Sequence, residues 1–268
     1  MRASPRSLCS FALLLALAFC TGSVVSARQA DAAPTTLDAE FRAAYPNDAP
    51  SSLTRLAGVA LSRLALPGLQ LHSRSDEAAD DGGVVLSYAD RAGNVRVIVH
   101  IAVLPDVGLA RRVLDTQLRG VSQPLSRAHD PLLGDLAWAD EGGRGSALVL
   151  ATQANLAYGV HVLESGGDVP SAASIAGQLR LAMVPGQPVF PQVSIALPAT
   201  LHAKTGAEFR VYVPGGQPYQ LRASGAYVAR GQSGPLLRPF APGPVTVFAT
   251  AVSELGCVTV GSQSARAE

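Results

Sequence analysis

Two histidines come first among the residues able to do chemistry. His100 and His161 each interrupt an apolar stretch, and at strand spacing each imidazole points away from the apolar face: His100 from Val97, Val99 and Ile101, His161 from Tyr158, Val160 and Val162. On neighbouring strands the two rings meet across a sheet, as two metal ligands or, with a carboxylate in the same cleft, as a catalytic group. A zinc site needs three or four ligands and no third stands beside them, so no metal is assigned and no cofactor is expected. A second set lies near the C-terminus. Arg210 and Tyr212 alternate with Phe209, Val211 and Val213, and Gln220 and Arg222 alternate with Tyr219, Leu221 and Ala223. If those strands are adjacent, Arg210, Tyr212, Gln220 and Arg222 share an outward face. Such a face can stack an aromatic ring on a sugar and hydrogen-bond its hydroxyls, or meet an acidic polymer. The same pattern also describes an ordinary solvated sheet face.

Other reactive types read as structural. Asp76, Glu77, Asp80 and Asp81 lack the alternating ligand spacing of a calcium loop and form a solvated acidic loop. Asp140 and Glu141 sit at a Gly-Gly turn, and Gly143-Arg144-Gly145-Ser146 is a hairpin turn and not a nucleophile elbow. Cys257 has no basic neighbour in sequence to lower its pKa and reads as a small core residue. The chain contains no His-Glu-x-x-His, Cys-x-x-Cys, phosphate loop or dinucleotide fingerprint, so no enzymatic activity is expected.

The first residues carry an address. Arg2 and Arg6 precede an apolar run from Phe11 to Cys20, and Val25-Ser26-Ala27 supplies small residues, the order of a secretory signal peptide cleaved after Ala27, with Ala32 as a later alternative. The run is about ten residues, where a spanning helix needs roughly twenty. Lipidation at Cys20 is disfavoured by the bulky Phe19 before it. The exported chain, secreted or periplasmic, keeps one cysteine and so has no internal disulfide. No other segment is long enough to span a bilayer.

The elements that must position these residues fall into two domains. After a flexible leader (28–37), residues 38–184 read as an α+β domain, an antiparallel sheet covered by helices. Its parts are a helix capped by Ser51 or Ser52 with Leu53, Leu56, Ala57, Ala60 and Leu64 on one face, strands 84–89 and 95–103, a helix opened by Pro105-Asp106, a hairpin of 146–151 and 156–163, and a helix from Ser171 to Met183. Leu86 to Asp90 with Gly93 and Val99 matches Leu136 to Asp140 with Gly143 and Val149, fifty residues on. Pro185, Pro188 and Pro191 mark a linker (185–191). Beyond it, short alternating runs separated by Gly/Pro turns predict a β-sandwich over 192–263, with 264–268 as a tail.

Two resemblances accompany this reading. Gly134-Asp135-Leu136-Ala137-Trp138, then a strand led by Asn155 and a Ser/Ala-rich helix, resembles the end of the PsbP-like α/β/α sandwich proteins, which implies an accessory or binding role for 38–184 and assigns no site residue. Phe240-Ala241-Pro242-Gly243-Pro244-Val245-Thr246-Val247, followed by 249–252 and Glu254-Leu255-Gly256, resembles the last two strands of bacterial Ig-like domains, covering 189–263.

Charge divides the same way. Residues 28–184 carry 13 Arg against 17 acids, a net −4, while 185–268 carry 5 Arg and Lys204 against Glu208, Glu254 and Glu268, a net +3. Near-neutral charge without a basic cluster, together with export, argues against nucleic acid. The sequence therefore points to an exported, non-catalytic accessory or binding protein whose partner is an envelope protein or a polysaccharide. Two alternatives stay open: carbohydrate or cell-wall polymer binding through the β-sandwich, and an enzyme with an unrecognised site in the first domain.

Overall fold

The computed structural model describes residues 55–75, 83–140, 147–163 and 169–268, with Ala39 alone before them. The expected signal peptide with its expected cleavage after Ala27, Cys20, the expected leader, Ser51, Ser52, the acidic residues of 76–81, Glu141 and residues 143–146 lie outside the described residues.

The first half runs β1 (Leu56–Val59), β2 (Gln70–Ser75), β3 (Val84–Ala89), β4 (Val95–Val103), α1 (Val107–Gly120), β5 (Ser126–Ala128), β6 (Leu136–Ala139), β7 (Leu148–Gln153), β8 (Leu156–Val162), α2 (Ala172–Leu181) and β9 (Met183–Pro185). Seven of these strands form one antiparallel sheet in the order β2-β3-β4-β8-β7-β6-β5. The alternation in β4 works as read, with Val97, Val99, Ile101 and Val103 fully buried on one face. Asp106 caps α1 by accepting the Leu109 N–H at 2.8 Å, and Ser171 caps α2 by accepting the Ser174 N–H at 3.2 Å. The helix α1 lays Leu114 against Leu136, Leu148 and Leu150, and α2 lays Ile175 and Leu179 on the opposite face with Val99, Ile101 and Val160. Covered on both faces, β7 and β8 are buried almost throughout.

This overturns the α+β expectation, because the helices that pack on the sheet are only two among the described residues. The described residues hold eighteen strands and two α-helices, and the molecule is nearly all-β. The clearest departure is the helix expected over Leu53 to Leu64. Residues Leu56–Val59 instead pair antiparallel with β9, and Leu61–Arg63 make a single 3-10 turn. Gly58 stands at φ 146°, a value foreign to a helix, and the buried Asn155 side chain accepts the Leu56 N–H at 2.7 Å while donating to Leu56 O at 3.0 Å and Leu104 O at 2.8 Å. Those three bonds and the β9 ladder outweigh the weak helical preference of a Leu/Ala/Gly segment.

The second half runs β10 (Ser194–Ala196), β11 (Thr200–Leu201), β12 (Ala207–Glu208), β13 (Arg210–Tyr212), β14 (Tyr219–Ser224), β15 (Ala226–Arg230), β16 (Pro235–Pro239), β17 (Gly243–Val252) and β18 (Val258–Ala267). One layer is β11-β18-β17-β14, with β11 parallel to β18 and the rest antiparallel. The other is β12-β16-β15 continued by β10-β13, because β12 and β13 are one run interrupted at Phe209. Between them lie Leu201, Phe209, Leu237, Val245 and Val247. The expected tail is no tail: β18 pairs with β17 through Ala267, and the Glu268 N–H donates to Leu201 O at 2.9 Å.

The halves meet at a buried seam. Val252, Cys257 and Val258 join the core containing Leu56 and Val59, and the Val59 N–H donates to Leu255 O at 2.8 Å. A Cβ on Gly58 would come within 2.1 Å of that Leu255 oxygen, so only glycine allows the approach.

Candidate functional site

His100 and His161 do lie on one face of the sheet, beneath α1. They occupy diagonal positions on adjacent strands, His100 opposite Gly159 and His161 opposite Ile98. His100 is engaged in packing. The His100 ring rests against Gly83, where a Cβ would fall 2.2 Å from Nε2, and Gln117 Nε2 of α1 donates to its Nδ1 at 2.8 Å. Burial pushes the His161 pKa down, with Asp140 partly countering it. Asp140 itself accepts the Ala147 and Leu148 N–H groups at 3.2 and 3.1 Å, holding the ends of β6 and β7 together. Its counterpart fifty residues earlier behaves alike: Asp90 accepts the Ala92 and Asn94 N–H groups and pairs with Arg96 at 2.8 Å, which brings its pKa down to about 2. The repeated Asp is therefore a carboxylate that accepts backbone N–H groups at a strand end in both copies. Among the described residues no group of three His, Cys, Asp or Glu is placed to hold a metal ion.

Cys257 is buried in the seam. Its Sγ donates to Ala57 O at 3.3 Å and burial raises its pKa, so the thiol is held protonated.

The four residues expected to share a face are divided between the two layers. Arg210 and Tyr212 lie on β13 beside β10, while Gln220 and Arg222 lie on β14 beside β17. The physical reason is the connection 213–218. Pro214, Gly215 (φ 79°) and Gly216 (φ 66°) carry the chain across from one layer to the other, where a hairpin would have kept it in the same sheet. Val211 and Leu221 both pack into the core between the layers, so their alternating neighbours point outward in opposite directions.

Arg210 and Tyr212 have other company, which the sequence reading missed. On the same outward face β15 and β16 place Tyr227 directly opposite Arg238. The Tyr227 ring stacks on Phe240 with centroids 6.0 Å apart, and the two residues are 46% and 72% exposed. Tyr212 is 67% exposed. The stem of Arg238 lies across Gly206, whose φ of 71° and closeness to Leu237 O both require glycine. Glu208 stands between the two groups and is turned to structural use: its carboxylate accepts the Gln232 N–H at 2.6 Å, the Ser233 N–H at 3.2 Å and the Ser233 hydroxyl, which together lower its pKa. On the opposite layer Arg222 sits 5.1 Å over the Phe248 ring with Gln220 two residues before it. The signal for Tyr227 was present, since 226–230 alternates; Arg238 was hidden because Pro235 and Pro239 bracket its strand. The chain matches no protein-family model and no curated protein.

Proposed function

We propose that this is an exported, non-catalytic accessory or binding protein whose contact surface is the outward face of the layer β10-β13, β12-β16-β15. The observation that carries the reading is the exposed Tyr227–Phe240 stack beside Arg238. Large rings left in water next to an arginine with no ion pair among the described residues contribute little to folding, and they are the residue types that anchor partners. Export rests on the signal-like order of residues 1–27. The strand order also supports the resemblance of 189–263 to bacterial Ig-like domains. Taking β10, β13 with β12, β14, β15, β16, β17 and β18 as strands A to G, one layer is A-B-E-D and the other C-F-G.

Polysaccharide binding is the more specific reading, and Arg222 over Phe248 favours a second, separate contact on the opposite layer. The catalytic reading is less well supported, because His100 and Asp140 are both tied into sheet and helix contacts. The test is co-sedimentation of the full chain with insoluble envelope fragments stripped of protein. Wild type is expected to be retained, with retention falling at least tenfold in the Tyr227→Ala/Phe240→Ala double variant. Equal retention of both would place the contact elsewhere.

A further inference from the structure

The ligand class follows from what surrounds the exposed rings, and the step rests on the binding role proposed above. Four outward residues form two stations on one sheet face. Tyr227 and Arg238 occupy the row at Gly206 with Phe240 beyond, and Arg210 and Tyr212 lie four and six residues further along the same run. At about 3.3 Å per residue the stations span on the order of 20 Å, longer than a single small molecule needs. Each station pairs a guanidinium with an exposed aromatic ring. Neither Arg210 nor Arg238 has an ion pair among the described residues. The one acid between them, Glu208, points its oxygens into the 231–233 turn. The face therefore carries a net positive charge, two guanidiniums against the one ionised carboxylate of Glu208, with neither arginine tied to it by an ion pair and flat rings beside both.

We propose that this face binds an anionic polysaccharide lying along the strand run, with sugar rings stacked on Tyr212, Tyr227 and Phe240 and acid groups paired by Arg210 and Arg238. Stacking alone accepts a neutral glycan. The two arginines make carboxylate-bearing units preferred, because guanidinium–carboxylate pairs are bidentate and charge-assisted. Their spacing makes a chain bind better than a monomer, the second station acting at raised effective concentration.

The probes are polygalacturonate, galacturonic acid, dextran and a single-stranded oligothymidylate, each titrated calorimetrically into the full chain. The expected result is binding of polygalacturonate that weakens with added salt, at least tenfold weaker binding of the monomer and of dextran, and at least a tenfold loss in Arg210→Ala and in Arg238→Ala with unchanged melting temperature. Arg238→Lys should restore only part of the loss. Equal affinity for dextran and polygalacturonate, insensitive to both arginine variants, overturns the anionic preference while leaving the binding face intact if the Tyr227→Ala/Phe240→Ala variant still fails to sediment with envelope fragments. Tighter binding of the oligothymidylate, or no binding of polygalacturonate by a chain that envelope fragments retain, overturns it as well. Retention that ignores the double variant removes the face itself.

Discussion

The two halves of the molecule use the same residue pair in opposite ways. In the N-terminal half Arg127 lies 4.9 Å from the Trp138 ring and donates to the carbonyl oxygens of Ala128, Ala137 and Asp135 at 2.7, 2.8 and 3.3 Å. In the C-terminal half Arg222 lies over Phe248 and Arg238 stands opposite Tyr227, and neither guanidinium has a hydrogen bond or ion pair among the described residues. The first arginine is a clamp across β5 and β6. The others have donors left for a partner. The same division holds for the carboxylates and aromatics of the first half: Tyr88 donates to Leu64 O at 2.9 Å and burial pushes its pKa up to about 12, and Tyr158 donates to Leu133 O. Asp135 accepts from the Gln153 side chain and the Ala154 N–H, both at 2.8 Å. Polar residues in a sheet covered on both faces must be satisfied internally, whereas a two-layer unit has an outward side that need not be.

The contrast predicts a graded response to substitution. The largest effect is expected at Asn155, where Asn155→Leu strands one N–H and two carbonyls of the first half in the core. A loss of about 3–5 kcal/mol in chemical denaturation is expected, and a change under 1 kcal/mol would mean that β1 is not held as described. Next is Gly58→Ala at the seam, where the clash with Leu255 O should cost about 2–4 kcal/mol and raise amide exchange at 252–258. If the halves melt unchanged, the seam is not a structural contact.

Smaller effects follow from pH. His161 is held neutral by burial, so its folded pKa lies below the ordinary value of 6.5. The unfolded chain then binds the proton more readily, and stability falls as pH drops below about 6.5. His161→Gln should flatten that limb; an unaltered pH profile would contradict the burial argument. Asp90 acts lower. Its depressed pKa makes its contribution present above the unfolded value of 3.8 and lost as pH falls toward about 2, so Asp90→Asn should alter only that acid window. Smallest of all, Tyr227→Ala and Phe240→Ala should each shift stability by less than about 0.5 kcal/mol. A larger loss would show the rings to be packing residues like those of the first half.

How much of this was legible in the sequence differs by element. The alternation of Val95 to Val103, the helix starts at Asp106 and Ser171, and the outward pointing of Arg210 and Tyr212 depend on nearest neighbours and were readable. The strand β1 was not, because Leu56, Ala57 and Ala60 mimic a helical stripe and the deciding bonds come from Asn155, 99 residues away from Leu56. Nor was β16, since Pro235 and Pro239 look like breakers although they stand at strand ends. The site was half visible for a related reason: alternation gives the side of a strand and not its neighbour. Gln220 and Arg222 share the face of Arg210 and Tyr212 only if the two strands are adjacent, which the crossing at 213–218 prevents, and Tyr227, Arg238 and Phe240 take their place.

Amide hydrogen exchange of the full chain with and without polygalacturonate tests the division of labour most directly. Protection is predicted in β12, β13, β15 and β16, with none in α1 or β8. Protection centred on α1 and β8, around His100 and His161, with the outward face of the second half unchanged, would contradict it.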